Sequence, residues 1–276
     1  MALQNLDRRI IYILIFLAVS IPLIKPIGLK MHISENVKKV YSLVQETPEN
    51  SRVLFSFDYD PASMPELHPM AISAFRQALL KKQKIVCTAM WPMGVQMYED
   101  VVKKMKVEFP NIKYGVDYIN LGYKAGGIVT MQAMESDINK VFPTDFSGKA
   151  LSDFPIMNNV SSLKNFKYVL SFSAGAPGIK EWVMIAHDQA KIKVAGGVTA
   201  VSAPSILPYV NDQHQLVGLL GGMAAAAQFE SLNHFKGTAT KGMDAQSLAH
   251  LVIIIFILMG NLNYILLKKK KERGNK

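Results

Sequence analysis

The feature that most constrains this chain is a 20-residue stretch, 248–267, that contains no Asp, Glu, Lys or Arg. About 20 apolar residues in a helix are enough to cross the hydrocarbon core of a bilayer. A basic tail, 268–276, follows at once, and its six Lys and Arg residues are opposed only by Glu272. An apolar segment that ends in a lysine block is typical of a transmembrane helix. We therefore predict a membrane-spanning helix at 248–267.

A second apolar segment lies near the N-terminus. Residues 10–24 carry no charge and follow Arg8 and Arg9, as in a signal peptide. The small residues of 18–20 are followed at once by Ile21 and Pro22, so a cleavage site is difficult to place. We predict that 1–30 holds a short N-terminal stub and an uncleaved anchor.

The basic residues predict the orientation of the two anchors. Cytoplasmic flanks of membrane helices are enriched in Lys and Arg, which places the tail 268–276 in the cytoplasm. Two spans bring the N-terminus to the same side, in agreement with Arg8 and Arg9. We expect a protein of the plasma (inner) membrane with both termini cytoplasmic and the central domain extracytoplasmic.

Charge and cysteine content exclude several classes of protein. The formal net charge is +10, and the two flanks carry most of the basic excess, so we expect contact with membrane lipid headgroups and none with nucleic acid. A single cysteine, Cys87, excludes an internal disulfide and a multi-cysteine metal site. The six histidines show no metal-ligand spacing, and we predict no metal and no cofactor.

The middle of the chain, 51–230, alternates between β-prone and amphipathic helical segments. Such alternation predicts an α/β domain with a mostly parallel sheet and helices on both faces, in a Rossmann-like or flavodoxin-like three-layer arrangement. The order of the strands cannot be read from the pattern. We predict a juxtamembrane helix within 31–50 and a polar linker at 231–247. The predicted strands are 53–57, 84–90, 113–121, 167–172 and 194–203, and the predicted helices are 69–82, 93–107, 127–141, 178–190 and 216–229.

One segment, 142–166, interrupts the alternation. It holds Asp145-Phe146, Asp153-Phe154 and a serine/asparagine cluster without a clear period. Long irregular segments inside a compact domain are usually functional or disordered. Because this one is also apolar, we predict a lid or a subunit contact.

Ligands of open α/β sheets bind beyond the carboxyl ends of the strands, and this rule selects our candidate ligand-binding residues. The turn after the third predicted strand is rich in glycine and contains a lysine, which suits a small anion at a helix start. The turn after the fourth strand adds a serine and a glycine. The candidates are Gly122, Lys124, Gly126, Gly127, Ser171 and Gly175.

Three residues are candidates for catalysis. Asp58 and Asp60 follow the first strand in a pattern that resembles the haloacid-dehalogenase pair, which implies a nucleophile and a general acid beside magnesium. No later acidic pair completes that metal site, and aspartates also suit such a turn for backbone reasons. Ser173 lies between a strand and a helix, as in a nucleophile elbow, although Ser171 replaces the usual glycine. The histidines that could assist Ser173 are His187, His214 and His234.

The absence of an intact catalytic motif in the sequence favours a non-catalytic role. We expect a two-span membrane protein whose extracytoplasmic domain is a structural or scaffolding subunit of a membrane assembly, as a homo- or hetero-oligomer with other membrane proteins. Gly260, Asn261 and Asn263 in the second span suit contact with another helix. The alternatives are a membrane-anchored hydrolase with its site at the strand ends and an extracytoplasmic sensor of a small anion.

Overall fold

The computed structural model describes residues 8–274 except for 212 and 214. These residues form two compact units. The central unit is Met31–Ala239, and the terminal unit combines the N-terminal segment up to Lys30 with the C-terminal segment from Thr240. The predicted α/β pattern falls in the central unit, and the two apolar segments fall in the terminal unit.

The central unit is built on a six-stranded sheet in which every strand pair is parallel. The order of the strands is β3-β2-β1-β4-β5-β6, so the chain reverses its direction of winding between β1 and β4. This confirms the predicted α/β class and supplies the strand order. The strands are β1 Arg52–Asp58, β2 Lys84–Ala89, β3 Tyr118–Tyr123, β4 Tyr168–Ser173, β5 Lys193–Val198 and β6 Leu219–Gly221.

Helices connect the strands and pack on the sheet. Leu54 of β1 belongs to one core cluster with Met131 and Trp182, whereas Phe55 packs edge-on against Phe75. Neighbouring side chains of one strand point to opposite faces, so both faces of β1 are covered. The helices are α1 Arg8–Ile24, α2 Glu35–Glu46, α3 Met64–Leu80, α4 Gly94–Glu108, α5 Ile128–Ser136, α6 Ile138–Val141, α7 Ile179–Trp182, α8 Ala203–Ile206, α9 Gly222–Leu232 and α10 Thr238–Gly274.

Both edges of the sheet are covered by other segments of the central unit. Along β3, the backbone N–H of Phe146 donates to the carbonyl of Asn120 over 2.9 Å. Along β6, α2 packs closely enough that a Cβ on Gly218 would lie 2.6 Å from the carbonyl oxygen of Asn36. These segments hinder the addition of a strand from another chain at either edge.

The irregular segment 142–166 is part of the core, which gives its apolar residues a different role from the predicted lid or subunit contact. Its side chains at Phe142, Phe154, Ile156, Met157 and Phe166 are all buried. Three short 3₁₀ turns carry the chain past the edge strand β3. Only Phe146 is a large exposed apolar side chain within the segment.

The prediction of five strands and a last helix at 216–229 was wrong in one respect. Residues Leu219–Gly221 form the sixth strand, and α9 begins only at Gly222, whose φ is +68°. A three-residue strand is too short to show a period of two, so the alanine-rich sequence that follows dominates the pattern.

Other strands and helices begin or end at residues different from those predicted, because of local turns and caps. The third strand was predicted at 113–121, but Lys113–Asp117 form a turn in which Asp117 accepts the N–H of Lys113. The helix predicted at 127–141 breaks at Asp137, whose carboxylate caps α6. The helix predicted at 178–190 is α7 followed by a π-helical turn, Val183–His187. The strand predicted at 194–203 ends at Val198.

The terminal unit contains the two apolar helices. Within the described residues, one helical segment, Thr238–Lys268, is long and apolar enough to cross a membrane, and none of its apolar window is buried in the protein. The N-terminal helix α1 has 17 residues and falls short of that length. The region predicted as a polar linker, 231–247, is helical from Thr238 onward.

Candidate functional site at the strand ends

Asp58 ends β1 beside the point where the winding of the sheet reverses. It is fully buried, and each carboxylate oxygen accepts two hydrogen bonds. The Oδ1 atom accepts from the Ser56 hydroxyl and the Met90 backbone N–H, both at 2.8 Å. The Oδ2 atom accepts from the Ser171 hydroxyl at 3.1 Å and the Trp182 indole at 3.3 Å. The carboxylate therefore joins β1 to β4, to the end of β2 and to α7.

Burial raises the pKa of Asp58 to about 6, although the four donors favour the ionised form. A carboxyl group with a pKa near neutrality suits acid–base chemistry when substrate can reach it. Asp58 has no solvent-accessible surface, and three of its four hydrogen bonds link β1 to other parts of the fold. Its geometry is that of an internal anchor.

The crevice at the reversal point is covered by Trp91. In sheets with this strand order, dinucleotides bind in that crevice, and a glycine-rich turn follows β1. Here the turn after β1 is 59–63 and contains no glycine. The Trp91 indole N–H donates to the Pro177 carbonyl over 2.9 Å, which connects the loop after β2 to the loop after β4 across the end of β1. The residues at this place therefore do not fit a dinucleotide.

Asp60 lies near Asp58 in the chain, and Ser173 lies beside it in the sheet. Both side chains accept hydrogen bonds from nearby backbone N–H groups. The Asp60 carboxylate accepts the backbone N–H of Ser63 at 3.2 Å in the turn before α3. Ser173 pairs with Asp58 in the β1–β4 register, and its hydroxyl accepts the backbone N–H of Ile179 at 3.2 Å. Neither aspartate contacts the Ser173 hydroxyl through a hydrogen bond in the described part of the chain.

The histidines predicted as partners for Ser173 are not assembled around it. His187 bonds its own neighbour, Asp188, at 2.8 Å. His234 lies after α9 with a φ of +52°. His214 lies outside the described residues. The arrangement among the described residues is therefore a serine at the end of β4, without the base that a nucleophile needs.

A small cavity of about 130 Å³ lies between the ends of β4 and β5. The Ser173 side chain and the apolar residues Ile179, Val198 and Ile206 are buried in its wall. Gly175, Lys180, Glu181, Ser202 and Ser205 also line it. The Glu181 carboxylate accepts the backbone N–H of Gly178 at 2.7 Å. This N–H group is therefore already bonded and does not serve an external anion.

The remaining candidate ligand residues separate into different places. The Ser171 hydroxyl donates to the Asp58 carboxylate, and Gly175 lines the cavity between β4 and β5. Gly122 and Lys124 line a wide cleft of about 810 Å³ at the ends of β2 and β3. Phe146, Tyr123 and Met93 supply exposed apolar surface to the same cleft.

Gly126 and Gly127 form the turn that starts α5. Their φ values are +115° and +53°, a region that non-glycine residues rarely adopt. In the described part of the chain, the backbone N–H groups of Ala125, Gly126 and Gly127 have no hydrogen-bond acceptor. Lys124 is exposed next to them. This turn retains the chemistry of the predicted small-anion site.

A second polar network, which the sequence pattern does not reveal, runs from the core to the surface through α3 and α4. The Tyr59 hydroxyl bonds Nδ1 of His68 at 2.9 Å, and Nε2 of His68 bonds the Asp100 carboxylate at 2.7 Å. Lys104 pairs with the same carboxylate at 2.7 Å. Burial, together with the charge of Lys104, lowers the pKa of His68 to about 4. Only the four-residue spacing of Asp100 and Lys104 on one helix is visible in the sequence.

The geometry defines an α/β protein with a six-stranded parallel sheet. The carboxylates at its strand ends accept hydrogen bonds from other groups of the same chain. No family model, no curated protein and no solved structure matches the chain. The function is therefore argued from the residues alone.

Proposed function

We propose that this chain is a two-span membrane protein whose α/β domain lies outside the cytoplasm and serves as a non-catalytic subunit of a membrane assembly. The observation that carries the proposal is the exposed apolar surface of α10. Its side chains at Ile254, Leu258, Leu262 and Leu266 are each more than half exposed in the isolated chain. A continuous apolar surface of this kind needs lipid or a partner helix to cover it.

The non-catalytic part of the proposal is supported by the use of polar groups at the strand ends. Asp58 has four donors, Asp60 and Glu181 accept backbone N–H groups, and the Glu66 carboxylate accepts the N–H of Ala200 at 2.8 Å. Of these carboxylates, Asp58 and Asp60 are the ones that a hydrolase of the predicted kind would need free. The alternative of a hydrolase based on Ser173 or Asp58 and Asp60 is therefore less well supported.

The assembly part of the proposal is supported by the polar residues of the span. Among the described residues, a Cβ on Gly260 would meet nothing within 4 Å beyond its chain neighbours and the backbone of its own helical turns, and Asn261 next to it is exposed. Side-chain amides within hydrocarbon are costly unless they find a partner. A small residue beside two asparagines suits close approach of a helix from another subunit.

Membrane integration is tested with charged substitutions in the two apolar helices. We expect the full-length protein to remain in the pellet after alkaline carbonate extraction of membranes. Replacing two residues of each apolar helix, in the variant Leu14→Lys/Leu17→Lys/Ile255→Lys/Leu258→Lys, should release it, because each lysine costs about 3 kcal/mol at the centre of a bilayer. The matched control is Val107→Lys/Val201→Lys, at two exposed apolar positions of the α/β domain. Release of the wild-type protein would contradict membrane integration.

A second candidate function, the binding of a small anion by an extracytoplasmic sensor, is favoured by the turn at Gly126 and Gly127. Its unpaired backbone N–H groups and the adjacent Lys124 suit inorganic phosphate or sulfate. Isothermal titration of the full-length protein with phosphate tests this function, with Lys124→Gln as the variant that should weaken binding and Lys164→Gln as the control on another surface. A flat titration of the wild-type protein would remove it.

A further inference from the structure

The two chain ends of the terminal unit are joined through one carboxylate, that of Asp244. Its Oδ2 atom accepts the backbone N–H of Ile27 at 2.8 Å and that of Gly28 at 2.7 Å. Its Oδ1 atom accepts the N–H of Leu29 at 3.0 Å. The side chain is 2% exposed, so these three bonds replace water around a charged group.

The backbone at 25–29 is shaped to present these donors. Helix α1 ends at Ile24, and Pro26 prevents its continuation because proline lacks an N–H group. Gly28 follows with a φ of +74°, in the left-handed region. Successive N–H groups around a left-handed residue form a concave site for an anionic oxygen.

The contact matters because Asp244 lies close to the apolar stretch of α10. Asp244 lies four residues before the uncharged stretch 248–267, or about 6 Å along a helix at 1.5 Å per residue. A carboxylate at this depth would be unfavourable beside hydrocarbon unless donors surround it. The loop after α1 supplies them at the level where the apolar stretch begins.

We propose that Asp244 is a positioning residue that fixes the loop after α1 against the start of α10, so that α1 and 248–267 enter one membrane as an antiparallel helical hairpin. The chain runs from α1 into the loop, and from Asp244 into the apolar stretch, which gives the two helices opposite directions. Helix α1 is then a retained part of the protein. The membrane placement rests on the proposed function, whereas the contact made by Asp244 does not.

Hydrogen–deuterium exchange of the full-length protein in lipid nanodiscs tests the contact. We expect the amides of 27–29 to be protected in the wild-type protein and to exchange about tenfold faster in Asp244→Ala, the factor for losing a hydrogen bond to a charged group. Asp244→Asn keeps one acceptor oxygen and should fall between the two. Gln246→Ala, at an exposed position of the same helix, is the control.

The same experiment shows whether a variant has lost its fold. Exchange in the β1 peptide 53–57 should be identical in all four proteins, because those residues lie in the central sheet. Equal exchange of 27–29 in the wild-type protein and in Asp244→Ala would overturn the role of Asp244.

The hairpin itself is tested by two further readouts on the wild-type protein. The intact mass should include residues before 25, and the amides of 10–24 should be as protected in nanodiscs as those of 249–267. A chain that begins after residue 24, or rapid exchange throughout 10–24, would overturn the hairpin. Carbonate extraction of the wild-type protein reports separately on the proposed function, so a failure of one is distinguishable from a failure of the other.

Discussion

The indole N–H of Trp91 donates to the carbonyl of Pro177 over 2.9 Å, from the loop after β2 to the loop after β4. Strand β1 lies between those two strands, so this bond passes over its carboxyl end. The ring also packs near Gly175, where a Cβ would lie 3.4 Å from Trp91. One side chain thus covers the crevice that proteins with this strand order use for ligands.

Two substitutions of Trp91 should lower the free energy of unfolding by different amounts. Trp91→Phe removes the donor but keeps an aromatic ring, and we expect a loss of about 1 kcal/mol in the free energy of unfolding. Trp91→Ala also removes the packing and should cost about 3 kcal/mol. Urea unfolding of the full-length protein in detergent, followed by circular dichroism, measures both. Equal losses in the two variants would show that the packing of the ring makes no contribution beyond that of the hydrogen bond.

The four donors around Asp58 predict a strong effect of removing an acceptor oxygen from this position. Asp58→Asn places an amide group against donors, and Asp58→Ala leaves Ser56, Ser171, Trp182 and the Met90 N–H without an acceptor. We expect each to lower the free energy of unfolding by about 3 kcal/mol or more. Asp153→Asn, at an exposed position, is the control and should be neutral. A neutral Asp58→Asn would contradict the role of an internal anchor.

Asp58 and His68 should affect the pH dependence of stability in opposite directions. The pKa of Asp58 is raised from 3.8 to about 6, so the folded state binds an extra proton in that range and stability falls as the pH rises. The pKa of His68 is lowered from 6.5 to about 4, so the unfolded state binds the extra proton and stability rises with pH. Each slope is about 1.4 kcal/mol per pH unit at most, and together they largely cancel between pH 4 and 6.

Single substitutions should separate these two slopes. Asp58→Asn leaves the contribution of His68, so its stability should increase from pH 4 to pH 6. His68→Gln leaves that of Asp58, so its stability should decrease over the same range. Urea midpoints at half-unit pH steps measure both, and parallel curves for the two variants would contradict the assignment.

Gly94 should tolerate no side chain, because α4 begins against β1. A Cβ on Gly94 would lie 1.9 Å from the carbonyl oxygen of Phe57, and backbone cannot move aside as a flexible side chain can. We expect Gly94→Ala to cost about 3 kcal/mol of unfolding free energy or to prevent folding. Gly175→Ala, with its nearest contact at an ordinary 3.4 Å, is the matched control and should change stability by less than about 1 kcal/mol.

The sequence predicted the sheet class because the strands β1, β2, β4 and β5 are apolar on both faces and alternate with helical periodicity. It did not reveal β6, since three residues cannot display a period and Ala224–Ala227 favour a helix. Glycines weaken a strand pattern, yet Gly196 and Gly197 lie inside β5, where a Cβ on Gly196 would lie 1.9 Å from the carbonyl oxygen of Ser171. Close approach of neighbouring backbones is a tertiary property and leaves no local pattern.

The sequence predicted where the candidate site lies but not which hydrogen bonds its residues make. The rule of carboxyl strand ends selects Asp58, Ser171 and Ser173, which do come together around β1 and β4. The donors Trp182, Met90 and Ser56 that saturate the Asp58 carboxylate are up to 124 residues away along the chain, which spacing cannot show. The contact of Asp244 with 27–29 is hidden for the same reason.

The measurement that tests the central claim most directly is the native mass of the full-length protein in lipid nanodiscs, with all co-eluting proteins identified. Membership of a membrane assembly predicts a defined mass above that of one 30.6 kDa chain. The variant Asn261→Leu/Asn263→Leu should shift that mass toward the single chain, whereas Gln246→Ala should leave it unchanged. A wild-type protein that is a single chain without partners, across several lipid compositions, would contradict the account.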